Sequence, residues 1–225
     1  TVNMDGDNTI AALQSRGYLV YNNSVPVGSL SWFQGNASVF NAFNGPTTGY
    51  VAANYNSTSG AGIIDNWLIL PRVTGGTLAT DSLTFWARST DLSSTNYPDS
   101  IYVMFSVSDS TPTGTWSILA RYKLPNPATG APNNGYTYYA VKAAAAGANA
   151  RFAIRYHVTD AGPSGSNSDY IGVDAINIMR NAAPVTYSWT EQTSGVTTAL
   201  ASVSAVNDNV MWACGNGGKV VKTTN

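Results

Sequence analysis

The amino-terminal run Met4-Asp5-Gly6-Asp7-Asn8 puts two carboxylates and an amide close together. Oxygen-only donors suit a hard cation, and Ca2+ takes about six to eight of them, backbone carbonyls included. Asp174 stands at the start of what reads as the last strand of a sandwich. The first and last strands of a jelly roll are commonly neighbours, so Asp174 is expected beside Asp5, with Asp7 as a third candidate ligand. The run lacks the spaced acids and terminal Glu of an EF-hand loop. Its competing role is a turn or N-cap ahead of Thr9.

Aromatic side chains offer a second chemistry, the stacking of sugar rings. Trp32 and Asn36, in Trp32-Phe33-Gln34-Gly35-Asn36, fall in an expected loop, and Tyr97 and Tyr136 adjoin turn-rich stretches. These four are the candidate ligand-binding residues. Trp67 and Trp86 lie in apolar strands and read as core. Trp32 has a competing role as a packing residue.

Catalytic possibilities are few. The chain has a single His (His157), a single Cys (Cys214) and a single Glu (Glu191). Asp160 follows His157 closely, but no nucleophile elbow accompanies the pair. Cys214, between Ala213 and Gly215, is expected to be a small buried hydrophobe. Most Asp residues stand in turns, where they form the turn and aid solubility. No catalytic residue is assigned.

These residues must be positioned by strands. Charged residues make up only 10% of the 225, against roughly 25% in an average soluble domain. Gly, Ser, Thr, Asn and Tyr take their place, a composition that favours strands and tight turns over helices. Ser82–Ala87 and Ser100–Val107 alternate with period two, and further short apolar runs recur between turn clusters, as in a sandwich or barrel. The segment from Thr9 to Arg16, with Ile10 and Leu13 on one face, predicts a short helix. The Ala-rich run from Ala143 to Ala150, interrupted by Gly147, predicts a loop with at most one helical turn.

Net charge is −1 and no basic run occurs, which argues against nucleic acid or an anionic membrane as partner. No apolar stretch approaches the ~20 residues of a membrane-spanning helix. A lone cysteine excludes an internal disulfide framework. The composition changes at Arg180–Pro184, so the expected organisation is a domain over 1–181, a linker over 182–186 and a second β unit over 187–225.

Several ordered motifs carry a resemblance. They are Ser15-Arg16-Gly17-Tyr18, Ser31-Trp32-Phe33-Gln34-Gly35-Asn36, Tyr50-Val51-Ala52-Ala53-Asn54-Tyr55, Ile64-Asp65-Asn66-Trp67-Leu68-Ile69-Leu70-Pro71, Tyr97-Pro98-Asp99-Ser100-Ile101-Tyr102-Val103 and Asp169-Tyr170-Ile171-Gly172-Val173-Asp174. Together they make residues 1–181 resemble the cleaved-adhesin or choice-of-anchor J family of extracellular jelly rolls, related to galactose-binding-like and MAM-like sandwiches. The resemblance implies an all-β jelly-roll sandwich, secreted or on a bacterial cell surface, with structural calcium at Asp5 and Asp174. Asp7 departs from the family pattern, which usually has an aromatic-acidic pair there.

The stretch Trp189–Asn225, with Val210-Met211-Trp212-Ala213-Cys214-Gly215-Asn216-Gly217-Gly218-Lys219, is similar to one repeat of sialidase-like or photosystem-stability-factor-like propellers. One such repeat cannot bury its own face. The expected function is a non-catalytic, monomeric module that binds carbohydrate or a host or matrix protein, or acts as a spacer. Its rival is a fragment of a glycan hydrolase whose active site lies in further propeller repeats.

Overall fold

The structure is a computed structural model that describes residues 4–92, 97–180, 188, 191 and 193–224. It divides into two compact units, Thr1–Ala183 and Pro184–Asn225. The expected linker at 182–186 and Trp189 lie outside the described residues.

The first unit is a jelly-roll β-sandwich. It begins with helix α1 (Ile10–Ser15), where Thr9 caps the first turn by accepting the Ala12 N–H and Leu13 is the buried contact. Eleven strands follow: β1 (Leu19–Asn22), β2 (Val25–Val27), β3 (Phe33–Gln34), β4 (Val51–Asn54), β5 (Thr58–Ile69), β6 (Ser82–Ser89), β7 (Asp99–Ser106), β8 (Ser117–Leu124), β9 (Thr137–Lys142), β10 (Arg151–Ala161) and β11 (Tyr170–Met179). One sheet runs β1-β5-β10-β7-β8, with β2 also on β5, and the other runs β3-β4-β11-β6-β9. Every pairing in both is antiparallel. The Ala-rich run forms no helix. Its Gly147 exchanges both backbone hydrogen bonds with Thr77, each at 2.9 Å, because the glycine interruption makes tertiary pairing more favourable than one isolated helical turn.

The period-two pattern sets the core. Leu83, Phe85 and Ala87 on β6 face Ile101, Val103 and Phe105 on β7, with Phe152, Ile154, Tyr156, Ile171 and Val173 between. Trp32 belongs to this core at 0% exposure. Its ring is a packing element between the sheets, so the expectation of a sugar platform at Trp32 is corrected: no face of the indole reaches solvent. Outward-facing side chains form two smaller clusters, one on each sheet's outer face.

One buried carboxylate ties the layers together. Asp99 opens β7, is 1% exposed, and accepts hydrogen bonds from Ser89 Oγ on β6 and Tyr156 Oη on β10. It also accepts the Asp169 backbone N–H at 3.1 Å, just ahead of β11. Strands of both sheets therefore converge on a single side chain.

The second unit is a three-stranded antiparallel sheet, β12 (Leu200–Asn207), β13 (Val210–Gly215) and β14 (Lys219–Thr223). Val203, Val206, Met211, Trp212 and Val220 are exposed on it. Cys214 is exposed as well, contrary to the expectation of burial, because a lone three-stranded sheet has too little material to cover its central strand. Among the described residues no helix is long and apolar enough to cross a membrane.

Trp32→Ala is expected to cost about 3–5 kcal/mol of unfolding free energy in a urea titration; a loss below about 1 kcal/mol would contradict the core assignment. Asp99 supplies a pH dependence. Burial pushes its carboxyl up to about 6, against the hydrogen bonds that favour the ionised form. The unfolded group ionises at about 3.9. The native state thus keeps a proton that the unfolded chain has lost, and this contribution is fully present below about pH 4 and lost as pH rises through about 6. A shift of about two units corresponds to about 3 kcal/mol at most. Stability measured against pH should lose this component in Asp99→Asn, and parallel curves for variant and parent would refute the buried ionisation.

Candidate functional site

The acidic candidates separate. Asp174 is 0% exposed and sits where a bulge between Asp174 and Asn177 breaks the pairing of β11 with β6. Ala175 follows with φ 48°, a left-handed backbone unusual for a residue with a Cβ. Bulges re-aim side chains, and this one turns the Asp174 carboxylate onto the loop after β3. There it accepts N–H groups from Phe43 at 2.9 Å, Asn44 at 3.3 Å and its neighbour Ala175 at 2.5 Å. Burial raises its pKa to about 6, and the Asp5 charge pushes the same way while the three N–H bonds oppose it. Asp5 packs against Gly45, φ +73°, where a Cβ would overlap its carboxylate.

Asp5 and Asp174 are brought together through the loop at Asn44 and Gly45, not through neighbouring end strands as expected: β1 and β11 lie in different sheets. Asp7 is not with them: it is exposed and accepts the Thr9 N–H at 2.8 Å. That bond holds its carboxyl below the usual range. Among the described residues no group of three or more His, Cys, Asp or Glu side chains converges. Two adjoining carboxylates are oxygen donors of the kind a hard cation takes.

Tyr136 is 4% exposed. Its ring stands edge-on to Phe40, Phe43 and Tyr50 in the outer cluster over β4, β11 and β6. Arg88, itself 4% exposed, lies 4.1 Å from the Phe40 ring centroid and closes the cluster. No ring face of Tyr136 is left for a ligand, so its expected binding role is corrected on the same ground as that of Trp32. Asn36 is exposed, but its amide oxygen accepts the Ser38 N–H at 2.9 Å. Its own N–H meets the Tyr50 and Tyr170 hydroxyls at 3.0 and 3.2 Å. It holds its loop in place.

Tyr97 is the sequence candidate with an open setting. It is 38% exposed, as is Tyr55, and both line a hollow of about 320 Å3 with Asp169, Ser168 and the Gly162–Gly165 turn. Gly162 has φ +104°, and a Cβ there would overlap the Gly60 carbonyl, so a glycine lets the turn lie close against β5. Ser168 Oγ accepts the Gly162 N–H at 2.9 Å. Asp169 is fixed at both ends: its carbonyl accepts the Tyr55 N–H at 2.8 Å, and Oδ2 accepts the Thr90 hydroxyl at 2.7 Å. Sequence reading missed Tyr55 and Asp169. Their signal was the polar, glycine-rich stretch 160–168 directly before β11, which marked a loop without saying what faced it.

The outer face of the larger sheet holds His157. One cross-strand row there reads Tyr21, Trp67, Arg155, Tyr102, Arg121 over five strands. The next row reads Asp65, His157, with Ser100 facing Lys123 beyond. Ser, His and Asp are thus near one another but not wired as a triad. Ser100 Oγ donates to the His157 carbonyl oxygen. Asp65 Oδ1 accepts Trp67 Nε1 at 2.7 Å and Arg155 Nε at 2.5 Å. The imidazole stacks on Tyr102, centroids 5.0 Å apart. Burial and Arg155 lower its pKa, with Asp65 opposing.

No family model matches the chain, and no curated protein matches it. Among solved structures it is similar to the K1 cleaved adhesin domain of Lys-gingipain from Porphyromonas gingivalis W83. The TM-score is 0.54 at 17% identity, covering 80% of this chain and 97% of that one. It is also similar to the K3 cleaved adhesin domain of the same protein, with TM-score 0.50 at 16% identity, covering 80% and 98%. At such identities the likeness is one of fold: the first unit shares the jelly-roll β-sandwich of those domains.

Proposed function

We infer that the chain is a non-catalytic binding module of an exported or cell-surface bacterial protein, taking carbohydrate in the hollow of Tyr55, Tyr97 and Asp169. The observation that carries this reading is the hollow itself. Two exposed tyrosine rings share it with Asp169, whose carboxylate accepts the Thr90 hydroxyl and whose backbone carbonyl accepts the Tyr55 N–H. Apolar ring faces with a few oriented polar groups are the usual make-up of a small-ligand site. Tyrosine supplies a large rigid face with a hydroxyl at its end. The sandwich fold, shared with adhesin domains, supports the same reading.

Calcium between Asp5 and Asp174 belongs to this proposal as a structural element. It would neutralise two carboxylates that repel one another and tie the amino terminus to β11. The carboxy-terminal sheet reads as the opening strands of a propeller-like array, since its exposed apolar residues call for further strands to cover them.

Titration of the intact chain against a panel of neutral and acidic oligosaccharides tests the main reading. Tyr97→Ala and Tyr55→Ala should each weaken binding roughly tenfold with little change in melting temperature. Undiminished affinity in both variants, or no glycan bound at millimolar concentration, would sink it; binding of a protein in place of sugar would redirect it. For the metal, Ca2+ added to chelator-treated protein should raise the melting temperature, and Asp174→Asn should remove that response. An unchanged melting temperature in the parent chain rules the site out.

A further inference from the structure

A second hollow, of about 270 Å3, lies on the larger sheet's outer side, with Ser100, Tyr102, Lys123, His157, Thr159 and Asn167 among its lining. It shares no lining residue with the Tyr55–Tyr97 hollow. Tyr102 and His157 stack within it with 23° between their planes. Beside them β8 presents two cations two residues apart, Arg121 and Lys123, both exposed. The Arg121 guanidinium stands 5.2 Å from the Tyr102 ring centroid.

The charges around this hollow do not balance locally. Arg155 is matched by Asp65 at 2.5 Å. Asp99, also in the lining, is buried and already accepts Ser89, Tyr156 and the Asp169 N–H. Among the described residues neither Arg121 nor Lys123 takes part in a salt bridge. In a chain with only 11 Lys and Arg and a net charge of −1, two unmatched cations beside one hollow are a local excess. Cations on an edge strand also discourage sheet-to-sheet aggregation, a role that requires neither the adjoining stacked rings nor a cavity.

We propose that this hollow is a separate subsite for an anionic sugar ring, one carrying a carboxylate or a sulfate ester. The ring would pack on the Tyr102–His157 pair, its anion would meet Lys123 and Arg121, and Asn167 and Thr159 would take its hydroxyls. A hollow of this size is below the ~300–1,000 Å3 of sites for drug-sized ligands, so it suits one ring at the end or side of a chain. A guanidinium and an ammonium side by side can bind either anion, the first through a planar fork and the second as a point charge. The subsite stands independently of the carbohydrate reading at Tyr97.

Calorimetric titration of the intact chain with digalacturonate, with a sulfated chondroitin disaccharide and with uncharged digalactose tests it. At least one acidic probe should bind at least fivefold more tightly than digalactose, and which one does so distinguishes carboxylate from sulfate. Lys123→Ala and Arg121→Ala should each weaken that probe at least fivefold, whereas Tyr97→Ala should leave it unchanged. Tyr102→Ala should weaken that probe at least fivefold while Tyr102→Phe retains it, which separates loss of the ring platform from loss of the hydroxyl, and an unchanged melting temperature shows that the fold is kept. The proposal is overturned by equal affinity for the uncharged probe, by acidic binding indifferent to both cation substitutions, or by no acidic binding at millimolar concentration. Loss of acidic binding in Tyr97→Ala would place the anion in the other hollow and overturn it equally.

Discussion

Asp99 is where the two layers of the sandwich depend on one another. Apolar packing between sheets is non-directional, and many small slides of one sheet over the other would bury similar area. A buried carboxylate is different, because leaving it unsatisfied costs far more than a neutral contact gains. With Ser89 from one sheet, Tyr156 from the other and the Asp169 N–H at the entry to β11 all directed at it, the stacking of the layers is fixed in register and rotation at that end. Both hollows lie at that same end: Asp99 lines one and its partner Asp169 lines the other.

The acidic end built around Asp174 is organised in another way. There a bulge and a left-handed residue turn a buried carboxylate toward a second carboxylate. At Asp99 proton retention and hydrogen bonds offset the burial. At Asp174 the neighbouring Asp5 charge adds to the cost. Both are buried acids whose pKa rises to about 6, yet one is met by hydroxyl and N–H donors and the other by N–H donors beside a second acid.

Strand existence was legible in the sequence because sheet faces impose period two, as at Ser82–Ala87 and Ser100–Val107. The short helix was legible from Ile10 and Leu13, but its cap was expected ahead of Thr9 and is Thr9 itself. Asp5 and Asp174 were paired on the expectation of neighbouring end strands, whereas β1 and β11 lie in different sheets and the loop at Asn44 and Gly45 joins the two acids. The hollows were not legible in this way. Tyr55, Tyr97 and Asp169 come from three separate connections, and only the sandwich topology brings them together. Trp32 and Tyr136 were misread for a related reason: a loop or turn-rich position suggests exposure, while the tertiary structure folds both rings inward. The row Tyr21–Trp67–Arg155–Tyr102–Arg121 depends on the register of five strands, which no local pattern records.

The place of β11 has a mechanical consequence. This strand is paired on both sides, with β4 and β6, and it is the last strand of the sandwich before the second unit. Tension arriving from the carboxy-terminal side therefore enters through an interior strand and is shared by two hydrogen-bonded ladders, where an edge strand would peel away one bond at a time. Load applied at that end would travel along a strand supported on both sides.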